Sequence, residues 1–210
     1  MYPTAEVRWF LQGPVPHDVK AWFQRRTGSV EQEPPRVDRY LRLLGSEGLN
    51  VKLREGRIEI KQRVGQASVM RFHERVSGLV ETWRKWSFEI AEPGGSRSET
   101  APPGSSWIGV RKERRLRAYR VENGEDVVAW IGPGSPREGC ELELTRVRAA
   151  GQVWWTVAFE AFGDESTLRE NLLLVVRNVL SADEPPLLPG SNTCGYAAWL
   201  SSLIQAEARP

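Results

Sequence analysis

Lys52 and Arg54, Glu59 and Lys61, and Lys112 and Arg114 each stand two residues apart. In an extended chain that spacing puts both members of a pair on one face. Fixed cations on one face suit phosphate, and arginine most of all, because its planar fork donates two parallel hydrogen bonds. Between Arg36 and Arg63 there are eight Lys/Arg against four acids, and between Arg111 and Arg120 six against one. The whole chain carries only +2, with 29 basic and 27 acidic side chains. Basic stretches within a near-neutral chain point to a small anionic ligand, not to dedicated duplex nucleic-acid binding. The competing reading is a set of solvated strand faces. Arg111 and Arg115 share the opposite face from Lys112 and Arg114, and a one-residue bulge would exchange the two sets.

The elements that must hold these residues read mostly as strands. Ala5 to Leu11 alternates at period two. Gly13-Pro14 ends it, and His17 to Arg26 follows as a short amphipathic helix. Arg36 to Leu44 is a strand. Leu49 to Arg54 and Arg57 to Val64 form a hairpin around Glu55-Gly56. Leu79 to Ile90 and Trp107 to Val121 are further strands, separated by a Pro/Gly/Ser-rich loop at 92–106 with no apolar anchor. Asn123-Gly124 is a turn signal. Cys140 to Val147 and Gln152 to Phe162 are strands joined at Ala150-Gly151. Ser166 to Leu180 is a helix with Ser166 as N-cap, and Tyr196 to Ala206 is a short final helix. No internal repeat occurs.

Short connections imply an antiparallel, mainly β fold of about eight strands with peripheral helices, closed into a barrel within one unit spanning residues 1–210. Two arrangements satisfy the segregation of charged and apolar faces. Either the charges face solvent around a dry core, or they line a wet tunnel whose apolar outer face is covered by helices.

Composition narrows the function classes. The 210 residues bury a core without staples, and no apolar run is long enough for a membrane-spanning helix. The first residues show neither a basic start nor an apolar segment, so the expectation is a cytoplasmic protein without a membrane partner. Two cysteines and two histidines exclude a disulfide-dense scaffold and a structural zinc site. Cys140 is expected to pack in the apolar layer. His17 and His73 fall outside every motif. Trp154 and Trp155 lie on opposite faces of one strand, with Trp155 expected under a helix.

One ordered series runs along nearly the whole chain: Glu6-Val7-Arg8-Trp9-Phe10, Arg36-Val37-Asp38-Arg39-Tyr40, Val51-Lys52-Leu53-Arg54, Ile58-Glu59-Ile60-Lys61, Arg111-Lys112-Glu113-Arg114, Glu141-Leu142-Glu143, Glu160-Ala161-Phe162 and Cys194-Gly195-Tyr196. It resembles the CYTH superfamily, the triphosphate tunnel metalloenzymes, which includes inorganic and thiamine triphosphatases, class IV adenylate cyclases and RNA triphosphatases. The resemblance implies a tunnel barrel acting on a triphosphate, polyphosphate or nucleotide. It implies phosphate contacts from Arg36, Lys52, Arg54, Lys61, Lys112 and Arg114. Hydrolysis of the terminal phosphate would depend on Mg2+ or Mn2+ held by Glu6, Glu143 and Glu160, with Glu141 in line beside Glu143.

The departures bear on catalysis. Arg8 stands where the family has its second glutamate, Phe10 where it has lysine, and Phe162 where it often has a further acid. A cation on the Glu6 face would pair with neighbouring acids and compete with a divalent ion. The alternative is therefore a non-catalytic polyphosphate- or nucleotide-binding module with a degenerate metal site.

Overall fold

The computed structural model describes residues 1–27, 31–89, 106–132, 134–181 and 184–207. Most of the loop expected at 92–106 lies outside the described residues. Eight antiparallel strands close a barrel: β1 (Tyr2–Gln12), β3 (Arg36–Leu41), β4 (Leu49–Arg54), β5 (Arg57–His73), β6 (Val76–Glu89), β7 (Trp107–Glu122), β9 (Gly139–Ala149) and β10 (Gln152–Phe162). Their order is β7-β3-β4-β5-β6-β1-β10-β9, with β9 pairing back to β7. Closure removes both free edges. Two short strands, β2 (Glu31–Gln32) and β8 (Asp126–Ala129), also pair with β7. The helices are α1 (His17–Thr27), α2 (Leu168–Ser181) and α3 (Tyr196–Glu207), with a 3-10 turn at Gly190–Asn192. Among the described residues no helix is long and apolar enough to cross a membrane.

Several boundaries differ from the sequence reading. β5 runs nine residues past Val64 and forms a second, long hairpin with β6. Gly65, with positive φ, and the polar Gln66 and Ser68 interrupt the apolar alternation, and the register shifts between Val64 and Ser68, which is why periodicity alone stops at Val64. Helix α2 starts at Leu168, and Ser166 does not cap it. The Ser166 hydroxyl donates to Asp164 Oδ1 at 2.6 Å, and the Thr167 amide donates to the Asp164 carbonyl. Both residues of the Asn123-Gly124 and Ala150-Gly151 turns have positive φ, the backbone that matches strand twist in a two-residue hairpin. The two cysteines are free thiols.

Strand alternation sorts side chains into two layers. Outward-facing Ala5, Val7 and Trp9 of β1, Leu142 and Leu144 of β9, and Trp155, Val157 and Phe159 of β10 form the main core with Val19, Trp22 and Phe23 of α1 and Leu172, Val175, Val176 and Val179 of α2. Cys140 belongs to this layer. In α1, Asp18 in the first turn and Arg25 and Arg26 in the last complement the helix dipole.

A second, smaller core lies inside the barrel at one end. Tyr196 and the α3 residues Trp199, Leu200 and Leu203 pack against inward-facing Phe10, Tyr40, Ile108, Val110 and Val147. Phe10 stacks on Trp199 with ring centroids 4.6 Å apart, and Trp154 meets Trp199 edge-on. Helix α3 thus plugs this end of the lumen.

Gly195 seats the plug. A Cβ there would lie 2.7 Å from both Glu81 Oε2 and the Trp83 ring. Gly195→Ala is expected to cost about 1–3 kcal/mol by overpacking, read as a lower urea midpoint at unchanged slope. An unchanged midpoint would show that α3 is not held at this contact.

Candidate functional site

The remaining lumen is a polar cavity of about 120 Å3. It is lined by eight cations, Arg8, Arg36, Lys52, Arg54, Lys61, Lys85, Lys112 and Arg114, and by four carboxylates, Glu6, Glu59, Glu143 and Glu160. Tyr40, Asn50 and Tyr196 complete the wall. The register brings these residues together from all eight barrel strands. Tyr40 of β3 faces Lys52 of β4, Lys52 faces Glu59 of β5, and Lys61 faces Lys85 of β6. Glu6 of β1 faces Glu160 of β10, and β9 and β7 supply Glu143, Lys112 and Arg114. Lys112 and Arg114 are the members of β7 that line the lumen, while Arg111 and Arg115 do not.

The charges form three connected groups. Arg8 donates to Glu143 Oε1 at 2.6 Å, and Arg114 lies 2.8 Å from Glu143 Oε2. Thr145 donates to the same carboxylate at 2.7 Å. Lys61 bridges Glu6 at 2.5 Å and Glu160 at 3.1 Å. Glu59 receives Lys52 at 2.9 Å, Lys85 at 3.1 Å and Arg54 at 3.4 Å. Behind the wall, fully buried Asp38 holds Lys112 at 2.8 Å and Arg36 at 3.3 Å. Counting Asp38 and also Glu33, which pairs with Arg36 and Arg114, eight basic side chains stand against six carboxylates, an excess of two positive charges when Lys112 is protonated.

Burial and pairing set the protonation states. Burial alone would raise Glu59 and Glu160, but Lys52 dominates at the first and Lys61 at the second, and both carboxyls fall to about 2. Glu143 is likewise held well below the usual carboxylate range, against its burial, by Arg8 and Arg114. Burial pulls Lys61 down, but Glu160 and Glu6 outweigh it and raise the ammonium to about 12. At Lys112 burial wins: the amine drops to about 7 despite Asp38, with Lys52 adding repulsion. Lys112 donates to the Tyr40 hydroxyl at 2.7 Å and lies 4.0 Å from the Tyr196 ring centroid.

The carboxylates do not assemble a metal centre. Glu6 and Glu160 share Lys61, and Glu143 is saturated by two guanidiniums and a hydroxyl. Glu141 does not line the cavity and accepts a hydrogen bond from Ser135 instead. Among the described residues no group of three or more His, Cys, Asp or Glu is placed to hold a metal ion. The donor set as folded does not fit Mg2+ or Mn2+, because every lining acid already carries a cation.

The sequence reading missed Tyr40, Asn50 and Lys85 as lumen residues. For Lys85 a signal existed, since it stands two residues from Trp83 in a strand that follows a basic hairpin. A larger cleft of about 360 Å3 lies outside the barrel beside Pro14, Lys20 and Arg146. It carries the ion pair of Arg146 with Glu113 and shares only Arg114 with the lumen.

Fold and site together define a closed antiparallel barrel with a charged, cation-rich lumen plugged at one end. No known family model matches the chain, and no curated protein matches it.

Proposed function

We propose that the lumen binds a triphosphate-bearing small molecule, whether inorganic triphosphate, short polyphosphate or a nucleotide, as a CYTH-like binding module. One observation carries this reading: eight cations converge on a small cavity in which every carboxylate is already neutralised by a cation. The surplus charge is complementary to a compact polyanion. Arg54, Arg36 and Lys52 stand on partly exposed side chains, ready to exchange carboxylate for phosphate oxygens.

Tripolyphosphate is expected to raise the melting temperature by mass action, and to do so equally in EDTA. Arg54→Ala removes one charge-assisted contact and is expected to cost about 1.5–3 kcal/mol of binding, roughly tenfold or more in Kd. Differential scanning calorimetry reads the first and calorimetric titration the second. Unchanged affinity in Arg54→Ala would contradict the site.

A second reading, a divalent-metal-dependent triphosphatase, is favoured by one feature. Glu6 and Glu160 are direct cross-strand neighbours that share a single lysine, so two carboxylates become available if Lys61 turns to phosphate. Robust EDTA-sensitive release of phosphate from tripolyphosphate would favour it over the binding module. Arg8→Glu is then expected to bind manganese more tightly than the native chain, and no gain would remove Glu6, Glu143 and Glu160 as a ligand set.

A further inference from the structure

The outer wall of the barrel carries a second concave site. The cleft of about 360 Å3 lies between β2, the start of α1 and the outer faces of β7 and β9. Its volume is that of a small-molecule site, for which about 300–1,000 Å3 is usual. Its walls divide by chemistry. Buried Leu144 and half-buried Val15 give it an apolar floor, while Lys20, Arg115 and Arg146 bring three cations to its sides.

Charge is balanced differently here than in the lumen, where each carboxylate carries a cation. Arg115 belongs to the β7 face opposite Lys112 and Arg114, and it stands directly across from Leu144 in the β7–β9 ladder. It is half-buried, and neither it nor Lys20 has an ion pair among the described residues. Glu113, the one carboxylate among the described lining residues, is engaged by Arg146 at 3.5 Å. Arg114 also lines the cleft but is turned to Glu143 and Glu33. A half-buried guanidinium on an apolar floor without a counter-ion is costly. Its planar fork is open to two oxygens of an incoming acid group. Further along the same ladder, exposed Arg111 and Arg148 stand opposite each other and extend the positive field.

The geometry points to this cleft as a binding site for a small organic anion. An apolar ring system lies against Leu144 and Val15, and one carboxylate or phosphate group takes the Arg115 fork, with Lys20 adding a second positive charge. The site is separate from the lumen and does not depend on what the lumen binds.

A methyl-resolved NMR titration of the full chain tests this with four probes: 1-naphthoate, 1-naphthyl phosphate, 1-naphthalenemethanol and inorganic phosphate. At least one naphthyl anion is expected to shift the Leu144 and Val15 methyl signals saturably, and the tighter of the two identifies the acid group. The alcohol lacks the charge and inorganic phosphate lacks the ring, so each is expected to bind there at least about tenfold more weakly. Arg115→Gln has no ion pair to lose, so it should keep the native melting temperature and weaken the tighter naphthyl anion about tenfold. Lys20→Gln, on an exposed side chain, should weaken it about threefold. Three results would each overturn the site: no saturable shift at Leu144 or Val15, equal binding by the alcohol or by inorganic phosphate, or native affinity in both variants. None of them bears on tripolyphosphate binding in the lumen.

Discussion

Arg8→Met is expected to lower the melting temperature by roughly 6–12 °C and to weaken tripolyphosphate binding by about one to two orders of magnitude. The first figure follows from the buried pair. Arg8 and Glu143 meet at 2.6 Å with side chains only 4% and 8% exposed. Removing one partner of such a pair costs about 3–5 kcal/mol, because the other charge stays buried. Glu143 keeps Arg114 and Thr145, which places the loss near 3 kcal/mol, and a chain of this size loses about 2–4 °C per kcal/mol. The second figure is the loss of a charge-assisted contact at the closed end, about 1.5–3 kcal/mol. Differential scanning calorimetry and titration measure the two separately. The double variant Arg8→Met with Glu143→Leu should recover part of the stability without recovering the binding. Wild-type affinity in Arg8→Met would show that the lumen floor takes no part in ligand capture.

Relative to Lys112→Met, the affinity of the native chain for tripolyphosphate should fall as pH rises from 7.5 to 9.5, by up to about tenfold per unit. Lys112 is the group that titrates, its free-protein value being about 7. The groups acting on it are Asp38, Lys52 and Glu143, and Tyr40 and Tyr196 lie against it. An anion in the lumen favours the charged ammonium and raises its pKa. Above pH 7 binding must therefore take up a proton, and each unit of pH makes that uptake harder until the liganded pKa is reached. Tripolyphosphate loses its own last proton inside this window and gains charge as it does, so the Lys112 contribution is read as the difference between the native profile and that of Lys112→Met. Lys112→Met should bind more weakly at pH 7.5 and lose this decline relative to the native chain; parallel profiles in the two chains would exclude Lys112 from the site. Stability moves the opposite way. The unfolded chain, with Lys112 at its ordinary value, binds more protons between pH 7 and 10, so this residue makes the fold more stable as pH rises there. Glu59 and Glu160, depressed to about 2, contribute stability above their ordinary range that is lost as pH falls toward 2.

Much of the barrel was legible in the chain itself. Period-two alternation in Glu6, Arg8 and Phe10 against Val7 and Trp9 fixes two faces, and pairs such as Lys52/Arg54 and Lys112/Arg114 must share one of them. The turn residues Asn123-Gly124 and Ala150-Gly151 mark hairpins for a backbone reason that is purely local. Period-two spacing also places a cation, Arg8, on the same face as Glu6.

Which face turns inward was beyond local reasoning, because an alternating strand is equally consistent with a dry core and a wet lumen. Closure of β7 against β9 decided it, together with α1 and α2 covering the apolar exterior. The partners of each carboxylate were likewise set by cross-strand register. The resemblance implies Glu6 and Glu160 as metal ligands, but Lys61 stands between them only once β5 has paired with β6 and β6 with β1. The plug was least visible of all. Nothing in the sequence of Tyr196 to Glu207 distinguishes a helix packed outside the barrel from one packed in its end. Phe10, Trp154 and Trp199, separated by up to nearly the whole chain, become one aromatic cluster only when the strands are closed around α3. Contacts of that range depend on long-distance packing, and it is that packing which makes the tunnel a cavity with a floor.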